Sequence, residues 1–156
     1  MTDREPMASG MVDVAATPAR VYELITDLAA LTELAEETAR MRWVDGEAAR
    51  PGAVFKGTNR NGWRRWTTTC TVTDAAPGQR FAFEVSYCGV PIARWQYDLA
   101  ASERGCRVSE SAWDRRPAWF KLPGGVYTGA LDRAAANARH IRATLHRLKA
   151  RAEATR

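Results

Sequence analysis

Few side chains in this 156-residue sequence are of a type and spacing that could do acid–base chemistry, and the one that stands out is Glu110. It follows Val108 by two in an alternating run, so if Val108 faces a core, Glu110 faces it as well. A carboxyl group held there must be hydrogen-bonded or have a shifted pKa. It could accept a hydrogen bond from a ligand hydroxyl, act as an acid or base, or simply bond the hydroxyl of Tyr97 on the neighbouring strand. Glu110 and Tyr97 are therefore the candidate catalytic groups, with internal hydrogen bonding as the competing reading. Asn59 and Thr68 are lesser polar candidates on inward faces.

The other reactive residue types exclude more than they suggest. The two histidines, His140 and His146, fall on a helical pattern roughly 100 degrees or more from its apolar stripe and are expected to face solvent. Cys70, Cys88 and Cys106 are odd in number and lack a Cys-x-x-Cys spacing, which argues against a disulfide framework or a zinc knuckle. Each lies in a strand-like stretch and is expected to be a buried free thiol. Serine-nucleophile motifs, phosphate-binding glycine loops and dinucleotide fingerprints are absent from the sequence, and a metal site would need more convergent ligands than it offers, so no cofactor and no metal is expected. Any chemistry must come from the shape of a cavity and a few polar groups.

The elements that would position these groups follow from periodicity. Met7–Val14 reads as a first strand. Thr17 and Pro18 then supply a helix N-cap and a proline at the first helical position. Val21, Leu24, Ile25 and Leu28 form the apolar face, and a second short helix or turn follows through Leu31 and Leu34 after a break near Asp27. From Met41 to about Trp113 the pattern has period two, in runs Met41–Asp45, Ala53–Asn59, Trp63–Thr73, Arg80–Tyr87, Ile92–Ala101 and Cys106–Trp113. Asp45-Gly46, Asn61-Gly62 and Pro77-Gly78 punctuate them as turns. Pro117–Gly125 is a connector bearing Trp119, Phe120 and Leu122. Val126–Glu153 reads as one long helix with Leu131, Ala134, Ala138, Ile141, Leu145 and Leu148 on one stripe.

Composition bounds the whole. With 46% hydrophobic and 26% charged residues the chain is expected to fold as one α+β domain over residues 1–156, with 1–6 and 153–156 as disordered tails. The N-terminus shows no apolar run behind a basic cluster and no stretch is apolar enough for a membrane span, so a cytoplasmic protein is expected. The formal charge is +5, and residues 132–156 hold seven basic against two acidic side chains, so the whole excess rides on the last helix and its tail. These side chains are expected to form a solvated outer face, and without interleaved aromatics a nucleic-acid role is disfavoured.

The order strand, two short helices, six strands and a long helix is that of the helix-grip fold. Several segments resemble the SRPBCC or START-like superfamily, and within it the bacterial polyketide cyclase/dehydrase-like group. They are Ala16-Thr17-Pro18-Ala19-Arg20-Val21-Tyr22 with Ile25-Thr26-Asp27, then Gly52 to Gly57 followed by Trp66, then Arg94-Trp95-Gln96-Tyr97. Gly105 to Ser111 and Ile141 to Lys149 complete the series. The resemblance implies a curved antiparallel sheet of about seven strands gripping the C-terminal helix, with a cavity between them. It also implies one of two roles: binding a lipid, aromatic metabolite or polyketide, or aromatase/cyclase or dehydratase chemistry on a polyketide. Members with cyclase activity carry a cavity arginine on the central strands. Here the stretch after Trp66 reads Thr67-Thr68-Thr69-Cys70-Thr71, and Arg64 and Arg65 precede the tryptophan instead.

On this frame the residues expected to line a ligand site are Trp66, Thr68, Phe83, Trp95, Tyr97 and Glu110 from the sheet, Trp119 and Phe120 from the connector, and Ala134, Asn137 and Ala138 from the helix. The small alanines would leave space opposite the sheet, or let the helix approach it closely. The expected partner is a small apolar molecule, with the chain acting as monomer or homodimer. A protein or nucleic-acid interaction module is the third reading.

Overall fold

The computed structural model describes residues 5–35, 38–119 and 133–154. A seven-stranded antiparallel sheet is formed by β1 (Ala8–Val14), β2 (Thr38–Asp45), β3 (Val54–Asn61), β4 (Arg64–Ala76), β5 (Arg80–Tyr87), β6 (Val90–Ser102) and β7 (Gly105–Asp114), in the spatial order β1-β7-β6-β5-β4-β3-β2. Helices α1 (Pro18–Thr26) and α2 (Leu28–Leu34) follow β1, and the long α3 (Arg133–Ala154) comes last. This is the helix-grip arrangement, α+β, with α3 packed chiefly on β1. β5 has the expected bounds and β1 starts one residue later, at Ala8, while the other five strands are longer than the alternating runs alone indicate, because ladder pairing continues past the last apolar residue.

The local reasons are visible at the caps and turns. Thr17 Oγ1 accepts from the backbone N–H of Arg20, and Pro18 opens α1. Asp27 ends α1 and caps α2, its carboxylate accepting from the N–H groups of Ala29 and Ala30. Asn61 pairs with Arg64, so the loop of the β3–β4 hairpin is Gly62-Trp63, one residue later than the Asn-Gly dipeptide suggests. Gly62 has φ +65° in the first loop position, the place a type II′ turn reserves for glycine.

Register decides which side chains meet. Phe81, Phe83 and Val85 of β5 point into the core, and edge-on aromatic contacts run from Trp43 to Phe55 to Phe83, with ring centroids 5.4 and 5.2 Å apart. On β4, Trp66, Thr68, Cys70 and Val72 share the inward face as expected, and an irregularity at Thr73 then resets the alternation. Asp74 is thereby turned outward, where Arg94 bonds it together with Glu84 and Gln96. Arg80 meets Asp98 at 2.7 Å on the same face.

Three expectations need correction. Cys88 is exposed, not buried, and sits in the β5–β6 turn at φ +49°, next to Gly89 at φ +80°. The basic residues of α3 are not simply a solvated face, because Arg147 donates to the Leu34 carbonyl, Arg151 bonds Glu33, and Lys149 donates to the Asp13 carbonyl. The C-terminal helix also continues beyond the expected start of a tail: Glu153 accepts from the N–H of Ala15 and from Lys149, fastening the end of α3 to the end of β1. Leu131 and the start expected for this helix at Val126 lie outside the described residues.

Candidate functional site

The alternation on β7 buries Cys106, Val108, Glu110 and Ala112 together. Glu110 is only 2% exposed and lies directly opposite Tyr97 of β6 on one side and Gly10 of β1 on the other. The glycine matters: a Cβ at position 10 would come within 2.8 Å of Ile141 Cγ2, so its absence lets α3 settle over the sheet beside Glu110. Tyr97, itself buried, faces Glu110 across the β6–β7 ladder, and its hydroxyl is near enough to act on the carboxyl's titration. The second carboxyl oxygen, Oε1, is inaccessible to solvent and has no hydrogen-bond partner among the described residues.

Burial dominates the electrostatics of this pair. Loss of hydration pushes the Glu110 carboxyl up to about 8, the Tyr97 hydroxyl pulling the other way without prevailing. Desolvation, and then the adjacent Glu110, hold the Tyr97 phenol well above its usual range. At neutral pH, then, the site presents a largely neutral carboxylic acid with one unused polar atom. Such a group can donate to a carbonyl, or accept from a hydroxyl, of a molecule placed against it.

The other sequence candidates divide clearly. Phe83 and Thr68 are buried, and Trp66 and Trp95 are half-buried on the same inward face, with Trp95 paired between Phe83 and Ala112. Thr68 belongs to a short polar chain in which Thr38 Oγ1 donates to Asn59 Oδ1 and Asn59 Nδ2 donates to Thr68 Oγ1, each at 3.1 Å. Asn137 proves to be on the core side of α3 at 3% exposure, in line with Ile141, Thr144, Leu145, Leu148 and Ala152, whereas Ala138 is half-buried. Ala134 is exposed although it shares the Asn137–Ile141 face. Trp119 is 68% exposed, so it is not packed as a cap over the core, and Phe120 lies outside the described residues.

Reactive groups elsewhere do not make a second constellation. Burial pushes the Cys70 thiol up to about 12, which makes it a poor nucleophile. His146 is exposed and His140 half-buried. Among the described residues no group of three His, Cys, Asp or Glu side chains is arranged to hold a metal ion. Sequence parity placed Glu110 and Tyr97 on inward faces, but it missed Gly10, whose role in the packing shows only through its pairing with Glu110.

The helix-grip fold places the chain in a known class of proteins. Residues 8–153 match the family described as polyketide cyclase / dehydrase and lipid transport, and the chain belongs to that family. No curated protein sequence matches it. Among solved structures, protein CV1439 from Chromobacterium violaceum is 19% identical with a TM-score of 0.65, covering 93% of this chain and 96% of its own. Cgl2372, a polyketide-cyclase-like protein from Corynebacterium glutamicum, is 24% identical with a TM-score of 0.62, covering 93% and 90%. The di-domain ARO/CYC StfQ from the steffimycin biosynthetic pathway is 14% identical with a TM-score of 0.73, covering 94% of this chain and half of that one. At these identities the likeness is one of fold. No helix among the described residues is long and apolar enough to cross a membrane.

Proposed function

We propose that the chain binds a small apolar or amphipathic molecule between the sheet and α3, with a single hydroxyl or carbonyl of that molecule bonded to Glu110. The observation that carries this reading is the unpartnered Oε1 of Glu110 in a mostly apolar interior. Buried polar atoms without partners are rare, and leaving one unsatisfied costs about 1–3 kcal/mol. A ligand group that completes the bond recovers that cost and is selected over an analogue without it. Phe83, Trp95, Thr68 and Asn137 supply the surrounding surface in this reading. Native mass spectrometry of gently purified protein, together with titration of the fluorescent lipophile 1-anilinonaphthalene-8-sulfonate, tests it. A bound mass or saturable fluorescence is expected, and the absence of both sinks the reading.

One observation favours a second reading, dehydratase or cyclase chemistry on a polyketide. Glu110 keeps its proton near neutral pH beside the Tyr97 hydroxyl, which suits a general acid aimed at a carbonyl oxygen. The fold likeness to the di-domain ARO/CYC StfQ supports the same direction. Against it stands the threonine-rich run after Trp66 in place of a strand arginine. On this reading Glu110→Gln and Tyr97→Phe abolish turnover of a poly-β-ketone thioester while the thermal midpoint measured at pH 5, below the window in which Glu110 titrates, is nearly unchanged. Retained turnover in both variants excludes it.

A further inference from the structure

The outer face of the sheet, turned away from α3, is electrically divided. On β5, β6, β7 and β1 its charges are matched across strands: Arg80 opposite Asp98, Glu84 opposite Arg94, and Asp13 opposite Arg107. On β2 and β3 they are not. Register sets Arg42 opposite Lys56 and Arg60 opposite Arg65, and Arg40 lies on the same face one pair further along β2. Like charges directly opposite destabilise a sheet. Among the described residues no acidic side chain is bonded to Arg40, Arg42, Lys56 or Arg60. Residues 48–73 contain five basic side chains and no acidic one. Protection of the free edge of β2 would account for Arg40 and Arg42. It does not account for Lys56 and Arg60 on the interior strand β3.

At the end of this face, the β3–β4 turn projects Trp63, which is 82% exposed, with the guanidinium of Arg64 4.6 Å from its ring centroid. An indole held in solvent with a guanidinium against its ring has the chemistry of a membrane-interface anchor, with an apolar ring and a polar N–H suited to the headgroup level. The cations span about 13 Å along β3 and about 10 Å across three strands, a broad flat surface rather than a pocket for one anion.

We propose that the β2–β4 face and the Trp63 turn dock on an anionic phospholipid surface, the cations lying against the headgroups and the indole at their level. This interaction needs no ligand in the interior, so it stands or falls separately from the cavity reading.

The test is co-sedimentation of the full chain with vesicles of 30% phosphatidylglycerol in phosphatidylcholine, against pure phosphatidylcholine, at low and high salt. Binding to the anionic vesicles alone, weakened by salt, is expected. Lys56→Gln and Arg60→Gln should each lower partitioning about fivefold, following the usual contribution of one basic residue near such a surface, and Trp63→Ser should lower it at every salt concentration. Lys56→Gln also removes the opposition to Arg42 and should keep or raise the thermal midpoint, which separates lost binding from lost folding. Equal binding to both vesicle types, or wild-type partitioning by all three variants, overturns the proposal. So does tighter, salt-sensitive retention on polyglutamate or duplex DNA than on the anionic vesicles, since that assigns the face to an acidic protein or a nucleic acid. 1-anilinonaphthalene-8-sulfonate titration of the same variants without vesicles should match wild type, whatever the lipid result.

Discussion

Replacing Glu110 with glutamine should make the protein more stable than wild type at alkaline pH, by an amount that grows with pH. The Glu110 carboxyl has its native pKa raised from 4.5 to about 8 by burial. Between those values the native state holds a proton that the unfolded state has released, so stability falls as pH rises, by about 1.4 kcal/mol per pH unit in mid-window. From pH 5 to pH 8 the contribution is roughly 3–4 kcal/mol, a large share of the 5–15 kcal/mol typical of a domain. Glutamine keeps the shape and much of the hydrogen bonding of the neutral acid but does not titrate. Urea unfolding of both proteins at pH 5, 6, 7 and 8 isolates the effect, because every other titrating group is common to the two. The difference, glutamine variant minus wild type, should rise steadily through this series. Parallel curves would refute the reasoning and mean that Glu110 is ionised in the native protein, and thus hydrated or paired with a cation.

Three further outcomes follow from the packing. Gly10→Ala should destabilise by about 1–3 kcal/mol in urea unfolding, since its methyl group would press on Ile141 and Leu145 and lift α3 from β1. Cys88→Asn should stabilise by about 0.5–1 kcal/mol in a thermal melt, because Cys88 holds a left-handed conformation that asparagine tolerates better. Arg94→Ala should cost about 1–3 kcal/mol and raise the salt dependence of unfolding, leaving Asp74 and Glu84 without their shared cation on a partly buried face.

Much of this arrangement was legible because its signals are local. Phe81, Phe83 and Val85 alternate without interruption, and Thr17-Pro18 can hardly be other than a helix start. The placement of Glu110 opposite Tyr97 needed only parity and strand order. What stayed hidden depends on non-local facts. The irregularity at Thr73 changes the direction of Asp74, and nothing in the residue types announces it. Alanine suits either side of a helix, so periodicity gave Ala134 and Ala138 the central place that Asn137 holds. Cys88 reads as the end of a strand until the Tyr87–Val90 pairing puts it in a two-residue turn. The facing of Arg42 with Lys56 appears only once the register of β2 on β3 is known.

The central claim is that Glu110 recognises one polar group on an otherwise apolar ligand. Its most direct test is displacement of 1-anilinonaphthalene-8-sulfonate by 2-naphthol and by 2-methylnaphthalene, compared in wild type and Glu110→Leu. Wild type should prefer the naphthol by about tenfold or more, in keeping with one buried hydrogen bond, and the leucine variant should bind both equally. An identical preference in the two proteins, or no displacement by either compound, would contradict it.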